Sequence, residues 1–106
     1  MAANLQKLCD RFLINDHHQE HMDPLIAKGA EVELDVVRMA VQSDVVVLSL
    51  PGPRQVQETL LGEKGLLENG RPGMYIVDTS TIDVQTSQKM AERAAERQIF
   101  YVDAPV

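Results

Sequence analysis

The sequence predicts an α/β domain, doubly wound around a mainly parallel sheet, and three observations carry that prediction. First, three apolar strands each run straight into a polar or proline-bearing corner: Val45-Val46-Val47-Leu48-Ser49-Leu50-Pro51, Met74-Tyr75-Ile76-Val77-Asp78-Thr79-Ser80-Thr81 and Ile99-Phe100-Tyr101-Val102-Asp103-Ala104-Pro105. Second, these runs are continuous rather than alternating, which predicts strands covered on both faces. Third, stretches of helical periodicity separate them, as crossover connections between parallel strands require. Ligands of open α/β sheets bind beyond the carboxyl ends of the strands, so the three corners are where function is sought.

In chain order, Ala3, Leu5, Leu8 and Cys9 recur at helical spacing over residues 2–10, and Phe12-Leu13-Ile14 then reads as a short strand closed by Asn15-Asp16. A helix over residues 19–28 ends at Gly29, a residue suited to the left-handed position after a helix. Pro24 is tolerated only in a first turn, which places the true start of this helix near Met22 or Asp23. Residues 30–32 form a short strand. Leu34, Val37, Ala40 and Val41 make the apolar face of a helix that stops before Asp44. Pro51-Gly52-Pro53 breaks the strand over 45–50 and opens a helix over 54–61, with Pro53 at its first position. Residues 62–73 are a glycine-punctuated connection with a helical turn at 64–68, followed by a strand at 75–77. Asp83 is a good N-cap for the last helix, which runs to about Arg97 with Val84, Met90, Ala91, Ala94 and Ala95 inward. The final strand covers 99–102.

Composition narrows the function classes. The 106 residues suffice for one domain with a modest core. Apolar residues make up 44% and charged residues 25%, values ordinary for a soluble globular protein, and no run approaches the length of a membrane span. A net charge of -6 with ten scattered basic residues argues against a phosphate-backbone footprint. The single Cys9 excludes an intramolecular disulfide framework and fits a reducing compartment, and no leader is read after Met1. A cytoplasmic location is expected, or a mitochondrial one had a leader been lost.

Several residues at the corners can carry chemistry. Leu50, Pro51 and Gln55 stand where a strand ends and a helix begins, and free backbone N–H groups with the positive end of the helix dipole favour an anionic or polar ligand there. The same pattern also arises from a proline-terminated strand with no ligand. The hydroxyls of Ser80 and Thr81 either cap the next helix or meet a ligand, and Ser80 with Asp83 has the spacing of a capping-box variant. Asp78 and Asp103 both end strands; nothing in their spacing supports an acid/base pair, and Asp78 is read as held by backbone donors at its corner. His17 and His21 have the i, i+4 spacing of a metal pair without a third ligand motif, so His17, His18 and His21 read as a solvated segment and no metal is expected.

The wording of the three corners resembles that of the β-hydroxyacid dehydrogenases, which include 3-hydroxyisobutyrate dehydrogenase and the coenzyme domain of 6-phosphogluconate dehydrogenase. The resemblance covers essentially the whole chain. Members of that family open with a strand and a Gly-x-Gly-x-x-Gly turn whose helix continues into Met-Ala-x-Asn-Leu, and this sequence opens on Met1-Ala2-Ala3-Asn4-Leu5. They continue from Asp-Ala-Pro-Val into a glycine pair, and this sequence stops at Val106. The resemblance therefore implies a Rossmann-like, doubly wound domain over 1–106 that lacks its first strand, the strand which in this fold sits at the centre of the sheet. Such a chain is expected to fold poorly alone or to recruit a strand from another molecule.

By the same resemblance, Leu50 and Pro51 lie against the nicotinamide-side ribose, Gln55 contacts the same cofactor, Thr81 meets the nicotinamide, and Ser80 is placed as a substrate contact. Val84 stands where the family commonly has proline. Asn15 and Asp16 fall where a Rossmann-type domain meets the adenosine ribose; an acid there accepts from the 2′-hydroxyl, whereas NADP-preferring relatives carry an arginine. The cofactor is thus expected to be NAD or NADP, with NAD favoured. The family's acid/base is a lysine on a later helical domain, which no residue here matches, Lys89 included, so the chain alone is expected to be catalytically silent. Its expected partners are a nicotinamide dinucleotide, a small hydroxy acid in the full-length protein, and further copies of itself through the region beyond Val106. The alternative is a non-catalytic α/β interaction module that pairs with a partner chain.

Overall fold

The computed structural model describes residues 6, 11–15 and 19–104, which divide into two compact units, Met1–Asp35 and Val36–Val106. The five strands among the described residues form two separately hydrogen-bonded sheets, one of two strands and one of three, and each pairing there is parallel. Apart from Gln6, the helix expected over 2–10 lies outside the described residues. No helix among the described residues is long and apolar enough to cross a membrane.

In the first unit β1 (Leu13–Ile14) pairs with β2 (Glu31–Val32), and α1 (Gln19–Ile26) connects them. Among the described residues Ile14, Met22 and Ala30 form its buried core, with Phe12 and Leu25 packed against them. Gly29 follows the helix at φ 99°, the left-handed conformation expected of it. The helix starts at Gln19 rather than near Met22, so Pro24 lies inside it, and this corrects the expectation. Proline removes one intrahelical hydrogen bond there. The burial of Met22 and the contact of Leu25, on either side of the proline, hold the turn in place.

The second unit contains α2 (Val36–Gln42), β3 (Val45–Leu48), α3 (Pro53–Leu60), α4 (Leu66–Asn69), β4 (Tyr75–Asp78), α5 (Val84–Glu96) and β5 (Phe100–Asp103). The strand order is β3-β4-β5, in a register that runs from Val45, Tyr75 and Phe100 at one end to Leu48, Asp78 and Asp103 at the other. Val46, Leu48 and Ile76 on one face of the sheet pack with Ala40, Val56, Leu60, Leu66, Met90 and Ala94 from the helices. Gly65 fits a tight turn between α3 and α4, where an added Cβ would lie 2.5 Å from the carbonyl oxygens of Leu60 and Leu61.

Three expectations are corrected here. The strands are not covered on both faces: Val45, Val47, Tyr75, Phe100 and Val102 are exposed on the opposite side, with the Tyr75 and Phe100 rings stacked at 4.9 Å. Helix α2 begins at Val36, leaving Leu34 outside it, and Val41 is exposed; Ala40 is buried and Val36 packs beside it. Helix α5 turns Thr86, Met90 and Ala94 inward, an i, i+4, i+8 series, while Val84, Ala91 and Ala95 face outward. The capping geometry sets that phase, because Asp83 must present its carboxylate to the Thr86 amide.

Candidate functional site

The three corners singled out in the sequence are tied together by one hydrogen-bond network at the carboxyl ends of β3, β4 and β5. Parallel pairing in register brings Leu48, Asp78 and Asp103 level, so the segments that leave them start from a common ledge. The Thr79 amide and hydroxyl both donate to the Leu48 carbonyl, at 2.8 and 2.6 Å. One step further on, the Leu50 amide donates to Ser80 Oγ at 2.8 Å. Two chain segments thirty residues apart in sequence therefore converge, which is the geometry a ligand held between Leu50-Pro51 and Ser80-Thr81 requires.

Beneath this junction lies Asp78, fully buried. Its Oδ1 accepts from the Ser80 amide at 2.9 Å, its Oδ2 from the Tyr101 hydroxyl at 2.6 Å, and its backbone carbonyl from the Ala104 amide at 2.8 Å. Burial and the Asp78 carboxylate together raise the Tyr101 pKa far above the ordinary phenol value, so the hydroxyl keeps its proton and remains a donor. The backbone donor to Asp78 was legible in the sequence. Tyr101 was not, although a hydroxyl-bearing ring flanked by apolar Phe100 and Val102, two residues before Asp103, is the signal that would have found it.

Above the junction the side chains open outward. Leu50 is half-buried, and Pro51, Gln55 and Thr81 are exposed. Helix α3 has Gly52 as its N-cap with no side-chain hydrogen bond to its first amides, Pro53 at its start, and the Gln55 amide oxygen 3.5 Å from where a Gly52 Cβ would stand. The donors of this helix start are thus left to solvent or ligand. Ser80 is buried and its oxygen accepts from Leu50, so it does not cap α5; Asp83 does, receiving the Thr86 amide at 3.0 Å and the Thr86 hydroxyl at 2.6 Å. Those two bonds hold the Asp83 carboxyl below its ordinary pKa. A hydroxyl that accepts one bond retains its hydrogen to donate, so Ser80 keeps the capacity to meet a ligand carboxylate.

Asn15 ends β1 in the first unit, exposed, with its side-chain amide donating to the Leu34 carbonyl at 3.3 Å. Asp16, His17 and His18 lie outside the described residues. Among the described residues no three His, Cys, Asp or Glu side chains gather closely enough to hold a metal ion.

A ledge of parallel strand ends, a helix start without a side-chain cap and two polar loops in contact are the elements of a dinucleotide site. The model of one protein family, the NAD binding domain of 6-phosphogluconate dehydrogenase, matches residues 1–106. The chain belongs to this family. Among curated relatives of this NAD-binding domain, a 3-hydroxyisobutyrate dehydrogenase of Pseudomonas aeruginosa is 33% identical over 106 residues, covering all of this chain and 36% of the relative. A solved 3-hydroxyisobutyrate dehydrogenase of Mycobacterium tuberculosis superposes with a TM-score of 0.85 at 25% identity, over 99% of this chain and 35% of that one. A structure titled as Psf3 in complex with NADP+ and 2-OPP superposes with a TM-score of 0.84 at 25% identity, over 94% of this chain and 36% of that one. The chain spans about a third of the length of the dehydrogenase relatives it matches. It is a Rossmann-like, nicotinamide-dinucleotide-binding domain of the kind found in hydroxyacid dehydrogenases, as the three corners implied.

Proposed function

We propose that this chain forms the cofactor-binding part of an oxidoreductase that moves hydride between a nicotinamide and the carbinol carbon of a small 3-hydroxy acid. The observation that carries the reading is the convergence of the Leu50 and Ser80 segments at 2.8 Å, on a ledge of parallel strand ends, where open α/β sheets take their ligands. The dinucleotide supplies the redox chemistry when bound. The chain's own residues bind and orient: Leu50 and Pro51 form one wall, Gln55 and Thr81 offer polar contacts, and Ser80 presents its hydroxyl to the substrate carboxylate. Asn15 and Asp16 meet the adenosine ribose, and the acid at Asp16 favours NAD over NADP because it accepts from a 2′-hydroxyl and repels a 2′-phosphate. No residue of the chain is assigned the acid/base role, so turnover awaits a lysine from elsewhere in the complete protein.

Titration with NADH and NADPH, followed by nicotinamide fluorescence and by amide shifts of Leu50 and Thr81, tests this reading. The expected result is tighter binding of NADH, with the preference reversed by Asp16→Arg. Equal affinity for both dinucleotides in the unaltered chain would refute the role of Asp16. Failure to bind either, accompanied by concentration-dependent self-association, would favour the interaction module instead.

A further inference from the structure

We propose that Tyr101 and Asp78 are positioning residues that set the spacing of the nicotinamide corner from beneath. This inference rests on the cofactor reading above and deepens it. Neither side chain is one of the residues assigned to the ligand, and Asp78 is fully buried. Yet every link between them and the corner is present: the Tyr101 hydroxyl donates to Asp78 Oδ2, Asp78 Oδ1 holds the Ser80 amide, and Ser80 Oγ holds the Leu50 amide.

The order of these links gives the network its function. Ser80 is fixed at two points, its amide by Asp78 and its hydroxyl oxygen by Leu50, so its place relative to β3 and β4 leaves little rotational freedom. Asp78 is in turn fixed by Tyr101 and, through its backbone carbonyl, by Ala104. The corner between β3 and β4 is thereby referenced to β5, which contributes no residue to it. A binding site that must hold a planar ring within a few tenths of an ångström needs such backing, because loops positioned only by their own contacts are too loose. The Thr79 bonds to Leu48 secure the first residue of the loop, but they stop short of Leu50 and leave that task to Ser80.

The test is Tyr101→Phe in the full chain, which keeps the ring and removes one hydroxyl. Tyr101 does not bond to Leu50, so a purely local packing role would leave the Leu50 amide unaffected. Positioning through Asp78 and Ser80 predicts that Leu50 amide exchange accelerates by roughly fivefold to tenfold, while exchange at Met90 in the middle of α5 stays unchanged. It also predicts that affinity for NADH falls several-fold, whereas affinity for ADP-ribose, which lacks the nicotinamide, is retained. Asp78→Asn is the conservative partner: its amide can accept from Ser80 and donate to a reoriented Tyr101 hydroxyl, and it is expected to keep Leu50 exchange close to that of the unaltered chain. An unchanged Leu50 amide in Tyr101→Phe, or equal loss of NADH and ADP-ribose affinity, would overturn the proposal. If the unaltered chain binds no NADH, the dinucleotide reading fails, while the positioning of Leu50 through Asp78 and Ser80 is still decided by the exchange measurement, which uses no cofactor.

Discussion

Removing the Asp78 side chain is the most informative perturbation of stability. Asp78→Ala leaves two donors without their acceptor, the buried Ser80 amide and the hydroxyl of the half-buried Tyr101. A fully buried donor left unsatisfied costs about 1–3 kcal/mol, and the half-buried hydroxyl adds less, so the loss amounts to roughly 2–4 kcal/mol. With a urea dependence of about 2 kcal/mol per molar, this appears as a midpoint lowered by roughly 1–2 M. Asp78→Asn restores an acceptor and a second polar atom in the same volume, so its midpoint is expected within about 0.5 M of the unaltered chain. Asp103→Ala is the control for charge, because that carboxylate stands level with Asp78 on β5 but is exposed. Its effect is expected to stay within about 0.5 kcal/mol. The assay is urea unfolding followed by far-ultraviolet circular dichroism. Were Asp78→Ala as stable as the unaltered chain, or Asp78→Asn as damaging as Ala, the account of the network would be wrong.

Three further outcomes are expected. Asp83 has its folded pKa depressed by the Thr86 hydroxyl and amide, so its contribution to α5 is present above the unfolded carboxyl value of about 3.9 and is lost as pH falls through the lower folded value. Helical signal should therefore decline on acidification, and in Asp83→Ala that carboxyl-linked part of the decline should be missing. Gly65→Ala would force a Cβ to within 2.5 Å of two backbone carbonyl oxygens, which predicts a loss of about 1–3 kcal/mol and a melting point lowered by roughly 4 °C or more; an unchanged melting point would contradict the turn geometry. Amide exchange should be faster through β1 and β2, each two residues long with both β2 residues exposed, than through β4, which is four residues long and hydrogen-bonded to β3 on one side and β5 on the other. Equal protection in the two units would count against their energetic separation.

What the sequence made legible follows the range of the interactions concerned. The Asp83 cap and the left-handed Gly29 depend on a few neighbouring residues, and both are as read. The strand corners at Leu50 and Ser80 were legible because apolar runs end there abruptly, and the family wording pointed to a nicotinamide dinucleotide as the ligand of the domain. Features that depend on packing were harder to read. Val84 and Thr86 fit the inner face of α5 equally well by periodicity, and only the capping bond decides between them. Leu34 and Val41 are apolar without being buried, because α2 begins two residues after Leu34 and buries Ala40. The Tyr101–Asp78 contact joins residues 23 apart and exists only through the alignment of β4 with β5, which no local pattern encodes.

That alignment carries its own safeguard against misfolding. Side chains alternate between the two sides of a strand, so sliding β5 by one residue along β4 would carry the phenol to the far side of the sheet and leave an aliphatic or phenyl group facing a carboxylate in the interior. A misaligned β4-α5-β5 crossover would thus meet a penalty that the native alignment does not. Tyr101 acts as a key that turns in only one position of the lock, and errors of strand alignment are rejected by charge as well as by shape.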